Sequence, residues 1–221
     1  YVSIERIRIE LSKLMQGDYL GTSYKALTES GLCAYLLGME QMDALAVWQQ
    51  VYETLAAQIA AGIRRDERLV WWALVKALGL DSTQARAFLR DWKHSNPFIK
   101  DVSDLLELDQ ALAAGPLDAW QLYQIPTHVL AIYETYAYYQ AWLSQSNQLT
   151  QAKAQLPLAN RSDLAINGQK VMEALGLSRG NAGLGRLLLE LERQVVMGDL
   201  ANDPAGLLAQ AQALGADYLE S

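Results

Sequence analysis

Cysteine is almost missing from this chain. Of 221 residues only Cys33 carries a thiol, so no internal disulfide can brace the fold, and a reducing, cytoplasmic setting is the expectation. Histidine is as scarce, at His94 and His128 alone, and a zinc site of the Cys/His type has no ligands at workable spacing. No Asp-x-Asp pair is present to hold two divalent metals, and no Gly-Lys-Ser/Thr loop to cradle a phosphate. Apolar runs stay well short of the roughly 20 residues a bilayer requires, and no signal-peptide pattern opens the chain. The reading is therefore a protein with no membrane partner and no DNA-coating surface, expected to catalyse nothing and to bind no cofactor by itself. Lysine and arginine are absent from residues 101–152, which hold six acids. Alternating strand patterns are missing too, which points to an all-α fold.

What is present is apolar and acidic. Half of the residues (51%) are hydrophobic, enough for a sizeable core, and the formal charge is −7. Residues 1–100 hold twelve basic and eleven acidic groups, and residues 153–221 hold six and eight. The last basic group is Arg193, and Asp199, Asp203, Asp217 and Glu220 follow it. A polyanion would have to be held by a few placed cations. The chain starts at Tyr1, already inside a helical pattern, as expected for a piece of a longer polypeptide.

Helical periods fill the sequence. Ile4, Ile7, Leu11 and Leu14 form one stripe, with Gly17 expected to end the helix in a left-handed turn. Further helices are expected from about Tyr24 to Thr28, over 40–61, and over 65–78 with Leu69, Trp72 and Leu78 apolar. Asp81 should cap the next, which carries Phe88, Leu89 and Trp92. Gly115-Pro116 is the clearest break. Pro126 opens a helix to about residue 144, with Tyr133, Tyr136 and Tyr139 reading as packing residues. Asn167-Gly168 marks a turn, Asn181 caps a helix closed by Gly198, and Asp203-Pro204 opens the last. Cys33, Trp92 and Phe98 read as core, both histidines as structural or solvent-facing, Arg6 as paired with Glu10, and Asp66-Glu67 and Asp101–Asp109 as solvated faces and caps.

Three segments in series resemble the CCA-adding tRNA nucleotidyltransferases. The opening Val2-Ser3-Ile4-Glu5-Arg6-Ile7, with Glu10 and Lys13-Leu14, is similar to the helix that follows the catalytic head in that family. Arg68-Leu69-Val70-Trp71-Trp72-Ala73-Leu74, then Phe88-Leu89-Arg90-Asp91-Trp92-Lys93, Ser95-Asn96 and Ile99-Lys100, resembles its body. Leu156-Pro157-Leu158, Asp163-Leu164-Ala165-Ile166-Asn167-Gly168, Gly185 and Val195-Val196-Met197-Gly198-Asp199-Leu200-Ala201-Asn202 look like its C-terminal signature. The resemblance implies an elongated helical array of the neck, body and tail type: the end of the neck at 1–16, the body at 17–114 and a body–tail region at 115–221. It implies a partner tRNA gripped at acceptor stem and elbow. It also implies a catalytic head, in cis or as a separate piece, that uses magnesium with CTP and ATP and is not in this chain. Where the family usually places Gly-Pro ahead of the glycine matching Gly185, this chain has Asn181-Ala182, with Gly180 and Gly183 beside them.

Duplex RNA is held largely through phosphates and 2′-hydroxyls, which calls for cations and free backbone donors. The stretch Gly180–Gly183 opens a helix whose unpaired amides suit a phosphate. The RNA-holding candidates are therefore Asn181 and Gly183 with Arg161, Lys170, Arg179 and Arg186 around them, and Lys93 and Lys100 elsewhere. Two other readings stand beside this one: a helical protein-interaction module, suggested by the net charge and the lysine-free middle, and a poly(A)-polymerase-like relative. Residues that would select the nucleotide lie outside the sequence, so CCA, C-only and A-only addition stay open.

Overall fold

A computed structural model of the chain describes residues 2–40 and 43–219. Positions 41–42, at the start of the expected 40–61 helix, and Glu220 lie outside the described residues. Twelve α-helices and two short 3-10 turns are found, and among the described residues there is no strand. The helices are α1 (Ile4–Gln16), α2 (Leu20–Glu29), α3 (Ala44–Ala60), α4 (Glu67–Ala77), α5 (Ser82–Asp91), α6 (Asn96–Ala114), α7 (Ala119–Gln124), α8 (Thr127–Tyr139), α9 (Gln148–Ala154), α10 (Gly168–Ala174), α11 (Ala182–Met197) and α12 (Pro204–Leu219).

The chain forms two compact units. One comprises residues 1–115 and 127–148, the other residues 116–126 and 149–221. One boundary between them falls at Gly115-Pro116, and α8 belongs to the first unit, where its Tyr133 and Tyr136 pack on Trp72 of α4.

In the first unit α4 is the axis. Every residue from Leu69 to Val75 is buried, and α1, α3, α6 and α8 pack around it. A helix apolar on all sides belongs in the middle of a bundle, so the one-sided stripe read from Leu69, Trp72 and Leu78 understates it. Trp71 donates its indole N–H to Ser12 Oγ (2.9 Å), and Ser12 donates to Glu67 (2.7 Å), which ties α1 to α4. Gly17 does not adopt the left-handed turn expected of it. Its backbone is extended (φ −77°, ψ 147°), and the end of α1 is closed instead by Arg65. The fully buried Arg65 guanidinium donates to the carbonyls of Gln16 (2.7 Å), Gly17 (2.8 Å), Met15 (3.4 Å) and Ile63 (3.2 Å). Helix-end carbonyls without intrahelical partners gain a charged donor in this way.

The acids of α6 differ from the solvated faces expected of them. Asp101, Asp104 and Asp109 are each about one-seventh exposed and each is paired. Asp101 meets Arg68 (3.1 Å) and His128 (2.9 Å), Asp104 meets Lys100 (2.5 Å), and Asp109 meets Lys76 (2.7 Å) and Tyr133 (2.8 Å). The missing cations of residues 101–152 are thus largely supplied by α4, and the acids fasten α6 to its neighbours. Asp66 does act as a cap, accepting from the Arg68 amide (2.8 Å), and is also gripped by its guanidinium. Arg6 does not pair with Glu10. Lys13 takes that carboxylate at 2.9 Å, three residues away instead of four. Cys33 and Trp92 are core residues as read, with the Trp92 indole donating to the Leu37 carbonyl at 3.1 Å.

The second unit is built on α11, whose Leu184, Leu187, Leu191, Val195 and Val196 meet Val171 of α10 and Leu207 and Ala211 of α12. Gly198, left-handed at φ 81°, ends α11. Lys153 repeats the role of Arg65: its ammonium donates to the carbonyls of Leu122 (3.3 Å), Tyr123 (2.6 Å) and Ile125 at the end of α7.

Candidate nucleic-acid interface

Residues 158–170 have little regular structure, yet they are held closely against α11. Leu158, Leu164 and Ile166 are buried in its core. Asn202 then latches the loop from outside: its side-chain oxygen accepts from the Ala165 amide (2.8 Å) and its side-chain nitrogen donates to the Asp163 carbonyl (2.9 Å). Two sequence segments 37 residues apart, Asp163-Leu164-Ala165 and Leu200-Ala201-Asn202, are therefore one structural feature.

Beside this latch lies an open depression of about 470 Å³, lined among others by Arg161, Ser162, Asn167 and Lys170, with Leu188 as part of its floor. Arg161 belongs to a 3-10 turn (Arg161–Asp163), and Lys170 to the first turn of α10. Asn167 is a helix cap rather than the free turn expected, its side chain accepting from the Lys170 amide at 3.0 Å. Lys170 is exposed. Arg161 is half exposed, with its Nε 3.7 Å from Glu192 Oε2.

Glu192 was not legible as a functional residue, yet it organises this corner. It is buried (4% exposed), and its other oxygen accepts from the Tyr123 hydroxyl at 2.7 Å. Burial, then that hydrogen bond, push the Tyr123 phenol well above its ordinary range. A signal did exist. Glu192 falls in register with Leu188, Val195 and Val196 on the apolar side of α11, and an acid in that register must find partners.

The start of α11 adjoins the same region. Asn181 caps it as expected, accepting from the Leu184 amide at 2.9 Å, with an extended backbone (φ −138°). The capping bond leaves fewer amide donors there for a phosphate than the bare helix start implied. Gly183 is buried in the first turn, and Arg179 and Arg186 are exposed. Arg186 donates to the Tyr218 carbonyl at 3.2 Å. Leu184 reaches toward both helix starts, within 3.9 Å of where a Cβ on Gly168 would lie and 3.5 Å for Gly180. Arg161 and Lys170 thus share one depression, and Asn181 and Gly183 stand at the start of α11 beside Leu184.

Lys93 and Lys100 belong to the other unit. Lys93 is exposed and left-handed (φ 60°), its carbonyl accepting from Arg8 at 2.6 Å. Lys100 is engaged by Asp104. Next to Lys93, His94 is buried against Phe98 (4.1 Å, stacked) and Trp71 (4.4 Å, edge-on). Burial, helped by Arg8, pushes its imidazole down to about 3.

Among the described residues no group of three or more His, Cys, Asp and Glu could hold a metal ion. No described helix is long and apolar enough to cross a membrane.

Comparison with known proteins agrees with this architecture. Residues 64–211 match the family model described as tRNA nucleotidyltransferase domain 2. Residues 1–45 match one described as "Probable RNA and SrmB-binding site of polymerase A". The CCA-adding enzyme of Latilactobacillus sakei is 33% identical over 226 residues, covering 96% of this chain and 51% of that protein. The CCA-adding enzyme of Levilactobacillus brevis is 31% identical over 208 residues, covering 94% and 50%. A crystal structure of the Bacillus stearothermophilus CCA-adding enzyme in complex with CTP superposes with a TM-score of 0.75 at 25% identity, over 99% of this chain and 54% of that one. The chain spans about half the length of the curated relatives it matches. Over the matched region, this chain belongs to the tRNA nucleotidyltransferase family.

Proposed function

We propose that the chain is the tRNA-holding portion of a nucleotidyltransferase, keeping the acceptor stem and elbow in place while a head domain outside this chain builds the 3′ CCA end. The observation that carries this reading is the pair of matches, one to a tRNA nucleotidyltransferase domain and one to an RNA-binding site of a polymerase. In this reading Arg161 and Lys170 hold one stretch of sugar-phosphate across their shared depression. Glu192 fixes the first guanidinium, and Arg179, Asn181, Gly183 and Arg186 extend the contact along the start of α11. Lys93 and Lys100 supply contacts from the other unit. Magnesium, CTP and ATP are assigned to the head, as the family resemblance implies. The chain alone transfers no nucleotide.

The test is a titration of the chain with fluorescent tRNA over a range of salt. Affinity should fall steeply with salt, and Arg161→Ala or Lys170→Ala should each reduce the log–log slope by about 0.7–0.9, one phosphate's share. Equal binding to tRNA and heparin, or slopes untouched by both substitutions, would overturn the assignment. Incorporation of labelled ATP or CTP by the chain without a head would overturn the claim of inactivity.

A further inference from the structure

A second depression, of about 400 Å³, opens in the first unit, and none of the RNA-holding candidates lines it. Its volume lies within the range of small-molecule sites, which begin at about 300 Å³. Leu112, Leu143 and the Trp142 ring form apolar walls, and Lys76, Asp109 and Tyr133 converge on one side. Trp142 is 58% exposed although its ring is held edge-to-face on Tyr136, with centroids 5.4 Å apart at 90°. A large ring fixed by one neighbour and otherwise open to solvent is a ready stacking platform.

The polar side has unspent capacity. Lys76 carries three N–H donors, of which one goes to Asp109 (2.7 Å), and its ammonium sits 4.9 Å from the Trp72 ring centroid. Asp109 accepts from Lys76 on one oxygen and from the Tyr133 hydroxyl (2.8 Å) on the other, and a carboxylate has about four acceptor positions. A guest would therefore meet a donor and an acceptor side by side, 2.7 Å apart. The carboxylate disfavours an anionic group on that side. A planar ring that offers hydrogen-bond donor and acceptor atoms along one edge fits both the stacking wall and the polar one.

We infer that this depression is a nucleobase site, formed by Trp142 as stacking surface and by Lys76 and Asp109 as edge-reading groups. The sugar and phosphate point out to solvent, away from Asp109. The base can come from an unpaired RNA nucleotide or from a free nucleotide, and the chemistry is shared. The inference does not depend on how the second unit holds RNA.

The full chain is titrated with AMP and CMP by saturation-transfer NMR, with ribose 5-phosphate as the baseless control. AMP and CMP should show contact with the protein through base protons, and ribose 5-phosphate should not bind. Trp142→Ala should weaken binding about five- to hundredfold, the range for losing one stacked base, and Trp142→Phe should restore most of it. Displacement of AMP by tRNA would assign the base to RNA, and simultaneous binding of both would assign it to a free nucleotide. Either result supports the site. Failure of every base-bearing probe to bind, binding of ribose 5-phosphate as tight as AMP, or indifference to Trp142→Ala in a folded variant would overturn it.

Discussion

Lys93 occupies the left-handed region that closes α5, with the His94 amide donating back to Leu89 (3.1 Å) and its own amide to Arg90 (2.9 Å). Glycine is the usual occupant of such a position, and an L side chain there costs about 1–2 kcal/mol. Lys93→Gly should therefore raise the stability of the chain by about 1 kcal/mol in urea denaturation. If the ammonium touches RNA as proposed, the same substitution lowers tRNA affinity, so stability and binding move in opposite directions. Lys93→Asn, which tolerates the conformation, should do likewise. His94 makes the pH prediction. Its folded value of about 3 lies below the ordinary 6.5, so the unfolded chain takes up a proton that the folded chain refuses. Stability should then fall as pH drops from about 6.5 toward about 3. His94→Gln should flatten this slope in thermal melts between about pH 7 and about pH 5.5, above the range where ordinary carboxylates protonate.

At the level of elements, the latch by Asn202 is the part of the candidate site most open to test. Asn202→Ala removes two hydrogen bonds to a loop that has few of its own, which should cost about 1–2 kcal/mol. Hydrogen exchange should rise at residues 163–165 while α11 stays protected. An unchanged loop would mean that Leu164 and Ile166 hold it without help. Helices were readable because their ends are written in local chemistry: Asp81 with Gln84, Asn181 and Gly198 act within four residues of where they stand. The end of α8 at Tyr139, short of the expected 144, was not readable, because Ala141 takes a left-handed turn (φ 58°) that alanine does not advertise. The candidate site was half legible. Its cations declare themselves by type, but their grouping rests on Glu192, Asn202 and Leu184, whose roles depend on residues tens of positions away.

At the scale of the whole molecule, the net charge of −7 misleads, since Asp101 and Asp109 of α6 are paired with cations from α4 and Asp104 with Lys100 of α6 itself. Arg65 is the most consequential cation of the first unit. Arg65→Met leaves several carbonyls at the end of α1 without a donor, and should lower stability by about 1–3 kcal/mol, the usual cost of a buried acceptor left unsatisfied. Arg65→Lys keeps the charge but not the fork, so its urea midpoint should fall between the two.

Arg65 also joins two stretches that are recognised separately. The carbonyls of Met15, Gln16 and Gly17 that it grips lie within residues 1–45, and the guanidinium itself within 64–211. A hybrid protein that takes its first 45 residues from a distant relative would have to bring a backbone ending of the same shape, or else strand a cation in oil. Exchange of parts within this family is therefore safest where the donor and the recipient share both sides of that socket.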